Sequence, residues 1–268
     1  MFREAKEADM AKVLAFAGKE PELNLFLIGD LEFYGFGNEF LKVWIEEDPA
    51  GNPRTVLLKF HGNMLLCGEN AGDDPKALLE LVAAHGGVFL SCSGTVFPHL
   101  KPFLPQEVDI RPMKMARMKT FRDPGFPLES ASLAQPEDAG DILRAMWKIE
   151  EFQPLLTGTP EQRIPRTEAT IRSGFEVHYL IRREGVLAAH ANTSVSSTRA
   201  AMIGGVFTPV DFRGKGLATA VVARLCMDLL DSGKTPVLFF ENPEAASIYH
   251  RLGFEDFADW FIVRLKVE

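Results

Sequence analysis

The stretch Val206-Phe-Thr-Pro-Val-Asp-Phe-Arg-Gly-Lys-Gly-Leu-Ala-Thr219 runs from a β-branched and aromatic strand through a Gly-rich basic loop straight into a helix. The first amides of a helix have no partner within it, and the helix dipole adds partial positive charge, so such a junction is built to hold an anion. Gly214 and Gly216 let the backbone come close to a phosphate, and Arg213 and Lys215 add charge. A diphosphate fits this loop.

The spelling separates it from other phosphate loops. A Walker A loop requires Ser or Thr after its Gly-Lys, whereas Lys215 is followed by Gly216. A dinucleotide fingerprint starting at Gly214 would need a third glycine where Thr219 stands, and alternating parallel βαβ units are missing around it. Taken alone, two glycines that merely shape a strand-to-helix turn remain an alternative.

Outward from the loop, Leu217, Val221, Leu225 and Leu229 recur every four residues and predict an amphipathic helix closed by Gly233. A strand over Pro236–Phe240, a helix over Pro243–Leu252 and a strand over Phe257–Leu265 follow. Upstream, the pattern predicts a short strand over Glu129–Leu133 and a helix from Pro136 to about Glu151. A helix over Pro160–Ser173 stops at Gly174, and strands cover Glu176–Arg182, Val186–Ser194 and Ala200–Thr208. The order is βααβββαβαβ, an α/β arrangement of the mixed-sheet (α+β) kind.

A second segment, Glu241-Asn-Pro-Glu-Ala-Ala-Ser-Ile-Tyr-His-Arg-Leu-Gly-Phe254, lies about 25 residues beyond the loop. Together the two segments resemble the Gcn5-related N-acetyltransferase (GNAT) superfamily. There, Arg/Gln-x-x-Gly-x-Gly/Ala precedes Asn-x-x-Ala-x-x-x-Tyr-x-x-x-Gly-Phe. This chain supplies Arg213, Gly216 and Ala218, then Asn242, Ala245, Tyr249, Gly253 and Phe254, in register. The resemblance covers about residues 128–268.

The resemblance implies the following roles. Acetyl-CoA is the co-substrate and no metal is needed. Backbone amides at Phe207 and Thr208 meet the thioester and pantetheine. Amides of Arg213, Gly214, Lys215, Gly216, Leu217, Ala218 and Thr219 hold the pyrophosphate. Asn242 meets the pantetheine arm, and Ser247 lies on the adenine side. Tyr249 protonates the departing thiolate as a general acid. The implied reaction is direct acetyl transfer to a primary amine on a small metabolite or peptide. The other class of function is a non-catalytic module that senses acyl-CoA or another ligand. The general base is open among Glu150, Glu151, His190 and Glu241. Cys226 reads as a small core residue rather than a nucleophile.

Prolines at 98, 102, 105, 112, 124 and 127 mark the middle of the chain, and Arg122-Asp-Pro-Gly-Phe-Pro127 has linker chemistry. The boundary is placed at residue 123, giving domains 1–123 and 124–268. The first half echoes the same order. Helices are expected near 9–17 and 22–33, strands near 41–46, 54–60 and 63–67, then a helix near 75–85 and strands near 88–92 and 108–119. Its equivalent loop, Gly68-Glu-Asn-Ala-Gly-Asp-Asp-Pro75, carries three carboxylates that repel a diphosphate, and Pro75 lacks a donor. No Asn…Tyr…Gly-Phe pattern follows it. The expectation is two tandem GNAT-like folds, the first degenerate and without CoA.

Composition narrows the partners. With net charge −8 the 268-residue chain lacks the Lys and Arg surplus that nucleic-acid phosphates require. Three dispersed cysteines argue against disulfides and structural zinc, and favour a reducing cytoplasm. The charged N-terminus does not read as a secretory signal, and no apolar run is long enough to span a membrane. A monomer or homodimer is expected.

Overall fold

The computed structural model describes residues 1–125 and 128–265. Its elements, in chain order, begin with β1 (Arg3–Glu4), α1 (Met10–Ala17), α2 (Leu25–Tyr34), β2 (Leu41–Glu47), β3 (Pro53–Phe60) and β4 (Asn63–Gly68). They continue with α3 (Pro75–Ala84), β5 (Phe89–Ser93), α4 (Phe97–Leu100) and β6 (Asp109–Met118). The second series is β7 (Ser132–Leu133), α5 (Ala139–Met146), α6 (Pro160–Ser173), β8 (His178–Arg183), β9 (Val186–Ser196) and β10 (Ala200–Phe207). It closes with α7 (Leu217–Asp231), β11 (Thr235–Phe240), α8 (Pro243–Leu252) and β12 (Phe254–Arg264). Both series read βααβββαβαβ, so the faint echo in the sequence is an architectural repeat. The short α4 was not expected. Pro98 inside it and the Pro102 that follows obscure helical periodicity.

The chain divides into two compact units. The first contains Met1–Ala116, Phe239–Glu241 and Asp256–Glu268; the second contains Arg117–Leu238 and Asn242–Glu255. The sequence boundary at 123 assigned the whole C-terminal stretch to the second domain. Pairing explains the difference: Trp260–Arg264 of β12 lies antiparallel to Phe89–Ser93 of β5, so the end of the second series completes the first unit.

In the first unit the strands run β1-β2-β3-β4-β5-β12-β6. β2 and β3 are buried along nearly their whole length, which matches apolar runs covered on both faces rather than alternating patterns. Its core joins Leu57, Met64, Leu66, Leu78, Leu90 and Val263. The rings of Phe97 and Phe261 stack at 3.9 Å, fixing α4 against β12.

In the second unit the order is β11-β10-β9-β8-β7. β10 is antiparallel to β9 and parallel to β11, but the β10–β11 register covers only Ala200–Ile203 against Thr235–Leu238. α7 buries Leu217, Val221, Leu225 and Leu229, the predicted stripe, and Val222 beside it. Thr159 caps α6 by accepting from Gln162 N at 3.3 Å, while Gln162 returns the bond to Thr159 N.

The helix expected to run to Glu151 stops at Met146. Ile149 turns to an extended conformation and is buried, and a 3₁₀ stretch, Glu150–Leu155, follows with Pro154 inside it. Burying Ile149 against Leu180 and Phe207 requires leaving the helix, and Pro154 could not have continued it.

Candidate active site

Gly216 is the N-cap of α7, with φ of 73°, and no side chain caps that helix. The amides at its start are therefore left to a ligand or to water. Gly214 also has positive φ (76°), so the two glycines turn the loop where side chains would be strained. The loop cations are exposed and bound locally. Arg213 donates from Nε to the Thr208 carbonyl at 3.1 Å and pairs with Glu151 at 3.1 Å. Lys215 donates to the Asp211 carbonyl at 3.2 Å and lies over the Phe212 ring.

The remaining expected cofactor contacts sit on β10, α7 and α8. Phe207 is buried at the end of β10. The Thr208 hydroxyl oxygen after it is buried with no hydrogen-bond partner, a group for which a bound molecule would supply one. Leu217 and Thr219 are buried in the first turn of α7, and Ala218 is half-buried. Asn242 caps α8, its side-chain oxygen accepting from Glu244 N at 2.8 Å, and Ser247 donates to the Glu244 carbonyl at 2.7 Å. Both side chains are thus partly engaged within α8.

Tyr249 is buried on α8. Burial, with the nearby Cys226 thiol, pushes its phenol up to about 12, so the hydroxyl keeps its proton at neutral pH. That is the state a proton donor needs. Cys226 is fully buried and its thiol is pushed well above the ordinary range by desolvation, which makes it inert.

Beside the loop lies a cleft of 730 Å³, lined by residues that include Arg144, Lys148, Glu150, Glu151, Asp211 and Arg213. The four candidate bases are distributed very differently. Glu150 is exposed in this cleft, and no ion pair holds it among the described residues. Glu151 is tied to Arg213. Glu241 pairs with Arg111 at 2.6 Å within the first unit. His190 is fully buried, and desolvation lowers it to about 3, so it is neutral.

Sequence reasoning missed the partners of His190. His178 Nδ1 is 2.9 Å from His190 Nε2, His178 Nε2 is 3.2 Å from Glu176, and His190 Nδ1 is 2.7 Å from the Gly205 carbonyl. The residues are distant in sequence, and only the β8–β9 register, with Leu180 opposite His190, makes the two histidines diagonal neighbours.

The first unit treats the equivalent loop otherwise. Asp74 caps α3, accepting from Lys76 N and Ala77 N at 3.1 Å each. Gly72 N donates to Asn70, and Asp73 N donates to Glu46. The amides that would meet a diphosphate are already satisfied by the chain's own oxygens.

Residues 175–262 match the GNAT acetyltransferase family. A GCN5-related N-acetyltransferase-like protein from Streptococcus suis is similar across 98% of this chain and all of its own, at TM-score 0.63 and 18% identity. A tandem GNAT protein from the clavulanic acid biosynthesis pathway is similar over all of this chain and 98% of its own, at TM-score 0.62 and 16% identity. A GCN5-related N-acetyltransferase from Sphaerobacter thermophilus gives TM-score 0.65 at 14% identity, covering all of this chain and 96% of its own. No curated protein matches the sequence. The chain shares the fold of these GNAT structures along its whole length, and the family match itself lies in residues 175–262.

The family match over residues 175–262 supports acyl-CoA-dependent N-acyl transfer as the general activity. Among the described residues no cluster of His, Cys, Asp and Glu could hold a metal ion, and no helix is long and apolar enough to cross a membrane.

Proposed function

We propose that this protein transfers an acetyl group from acetyl-CoA directly to the primary amine of a small metabolite or peptide. The observation that carries the reading is the uncapped start of α7, with Gly214 and Gly216 at positive φ, in register with Asn242 and Tyr249 of the second motif. A diphosphate accepts from the free amides, and the pantetheine arm runs toward Phe207, Thr208 and Asn242.

The amine attacks the thioester carbonyl, and backbone amides of β10 stabilise the tetrahedral oxyanion. The C–S bond then breaks, and the Tyr249 hydroxyl gives its proton to the departing thiolate. Glu150 is the favoured base because it is the candidate that faces the cleft without an ion pair, acting on the ammonium directly or through one water. The catalytic domain begins near residue 124, works in the cytoplasm and needs no metal. The first unit is a degenerate copy without CoA, because its own oxygens occupy the equivalent amides.

The reading is tested by following free thiol release from acetyl-CoA over a panel of primary amines, including amino acids, polyamines and peptide N-termini. Turnover with at least one amine class is expected. CoA binding without turnover on any of them would favour the sensing module instead.

A further inference from the structure

The hydrogen bonds around His190 can be solved for their protons. A carbonyl only accepts, so the 2.7 Å contact with Gly205 O requires the proton of His190 on Nδ1. Neutral His190 then offers a bare Nε2, which accepts from His178 Nδ1 at 2.9 Å. That leaves His178 Nε2 facing Glu176 at 3.2 Å across one proton, and the bond is made whichever of the two atoms owns it. Thr170 Oγ1 donates to the same Glu176 oxygen at 2.9 Å. From His178 onward the donors point one way, through His190 to the Gly205 carbonyl.

The recipient is the irregular point of β10. Register with β9 passes from Gly204↔Asn192 to Phe207↔His190, so residues 205 and 206 together face Ala191 in a bulge, and the ladder to β11 has already ended at Ile203. Gly205 adopts φ of 55°, and a Cβ there would collide with Asn192 Oδ1 and crowd the His190 ring. A bulge disrupts the ladder locally, so the orientation of its peptides depends on what else binds them. In a trans peptide the carbonyl and the next N–H point in opposite directions. The Gly205–Val206 peptide is trans, as is every peptide among the described residues, so tying Gly205 O to His190 turns Val206 N–H away from His190. The ring itself is enclosed, with Phe207 at 5.2 Å between centroids.

Resting on the acyl-transfer reading above, we propose that Glu176, His178 and His190 are positioning residues that fix the Gly205–Val206 peptide, so that Val206 N–H serves as the donor to the thioester oxygen. None of the three touches substrate. His190 is too deeply buried to deprotonate an amine, which removes it from the candidate bases and gives its burial a purpose. A buried polar chain that ended on a random carbonyl would only cost stability; this one ends on a peptide of the β10 bulge.

The test uses two isosteres in the full-length chain. An Asn amide nitrogen falls near the position of His Nδ1, and a Gln amide falls near Nε2. His190→Asn keeps a donor for Gly205 O, whereas His190→Gln keeps only the contact with His178. With the best amine found in the panel, His190→Gln is expected to lower kcat by about 10- to 100-fold, short of the 10²–10³ seen when an oxyanion donor is deleted outright. The KM for acetyl-CoA should stay within about threefold, and His190→Asn should recover kcat to within about fivefold of the unaltered chain. Equal kcat in the Asn and Gln variants, whether both high or both low, overturns the positioning role alone. No transfer by the unaltered chain to any amine overturns the acyl-transfer reading, and this inference with it. Nitrogen-15 NMR of the histidine side chains in the unaltered chain checks the premise without depending on variant folding. His190 protonated on Nδ1 is expected; protonation on Nε2 would overturn the proposal.

Discussion

Asp74 and Gly216 hold the same place in their units, the N-cap of the helix that follows the fourth strand, and only Asp74 brings an oxygen to the amides behind it. One helix start is filled by its own chain and the other is left open. A single residue type therefore separates a structural turn from a candidate diphosphate site, and several tests follow from that contrast.

Gly216→Asp is expected to close the second site in the way Asp74 closes the first. The φ of 73° is tolerable for Asp at modest cost, so the variant should fold. Its carboxylate would take the α7 amides and repel the diphosphate by about 1–4 kcal/mol. Calorimetry should find CoA affinity reduced at least about tenfold, and unchanged affinity in a folded variant would sink the cofactor assignment.

The full chain should bind one CoA. Asp74→Ala is expected to destabilise by about 1 kcal/mol, as the loss of an N-cap does, without creating a second site. Two sites per chain in a CoA titration would refute the degenerate reading of the first unit. A fragment starting at residue 124 is unsuitable for this measurement, because β12 would lose β5 as its partner.

Tyr249→Phe removes only the hydroxyl. It should lower kcat by roughly 10- to 10⁴-fold with little change in CoA affinity, the signature of a lost proton donor. Full turnover with chemistry rate-limiting would make the phenol structural.

Gly253→Ala tests the end of the second motif as architecture. Gly253 caps α8 with φ of 101°, and a Cβ would run into the Thr120 carbonyl, which is backbone and cannot swing aside. A loss of about 2 kcal/mol or more is expected in denaturant unfolding, from strain at a left-handed position together with the collision. An unchanged midpoint would show that residue 120 moves freely.

Acid should weaken the first unit. Arg3 makes two bonds to Asp9 at 2.8 and 2.9 Å and also pairs with Glu47 at 2.8 Å. The guanidinium holds Asp9 well below the usual carboxylate range and, with Lys12, lowers Glu47 to about 2. Both groups bind protons more weakly folded than unfolded. Their contribution is therefore complete above about pH 4.5 and is lost as the pH falls toward 2. Asp9→Asn should lower the melting temperature at pH 7 and flatten its dependence below pH 4.5, and an unaltered slope would remove the network from acid sensitivity.

The sequence by itself determined the local elements and the loop. The periodicity of α7, the capped helices at Pro160 and Pro243, and the pair of motifs around Gly216 and Tyr249 are properties of neighbouring residues, so short windows carry them. Tertiary structure alone decided three things. Ile149 left its helix because a buried position in the second core outweighed local propensity. β12 joined the first unit because strand pairing is a bond between distant segments, which no window contains. The line from Glu176 to Gly205 exists because a β8–β9 register and a bulge in β10 bring three separated stretches to hydrogen-bond distance, and hydrogen bonds depend on tenths of an ångström that sequence spacing cannot specify.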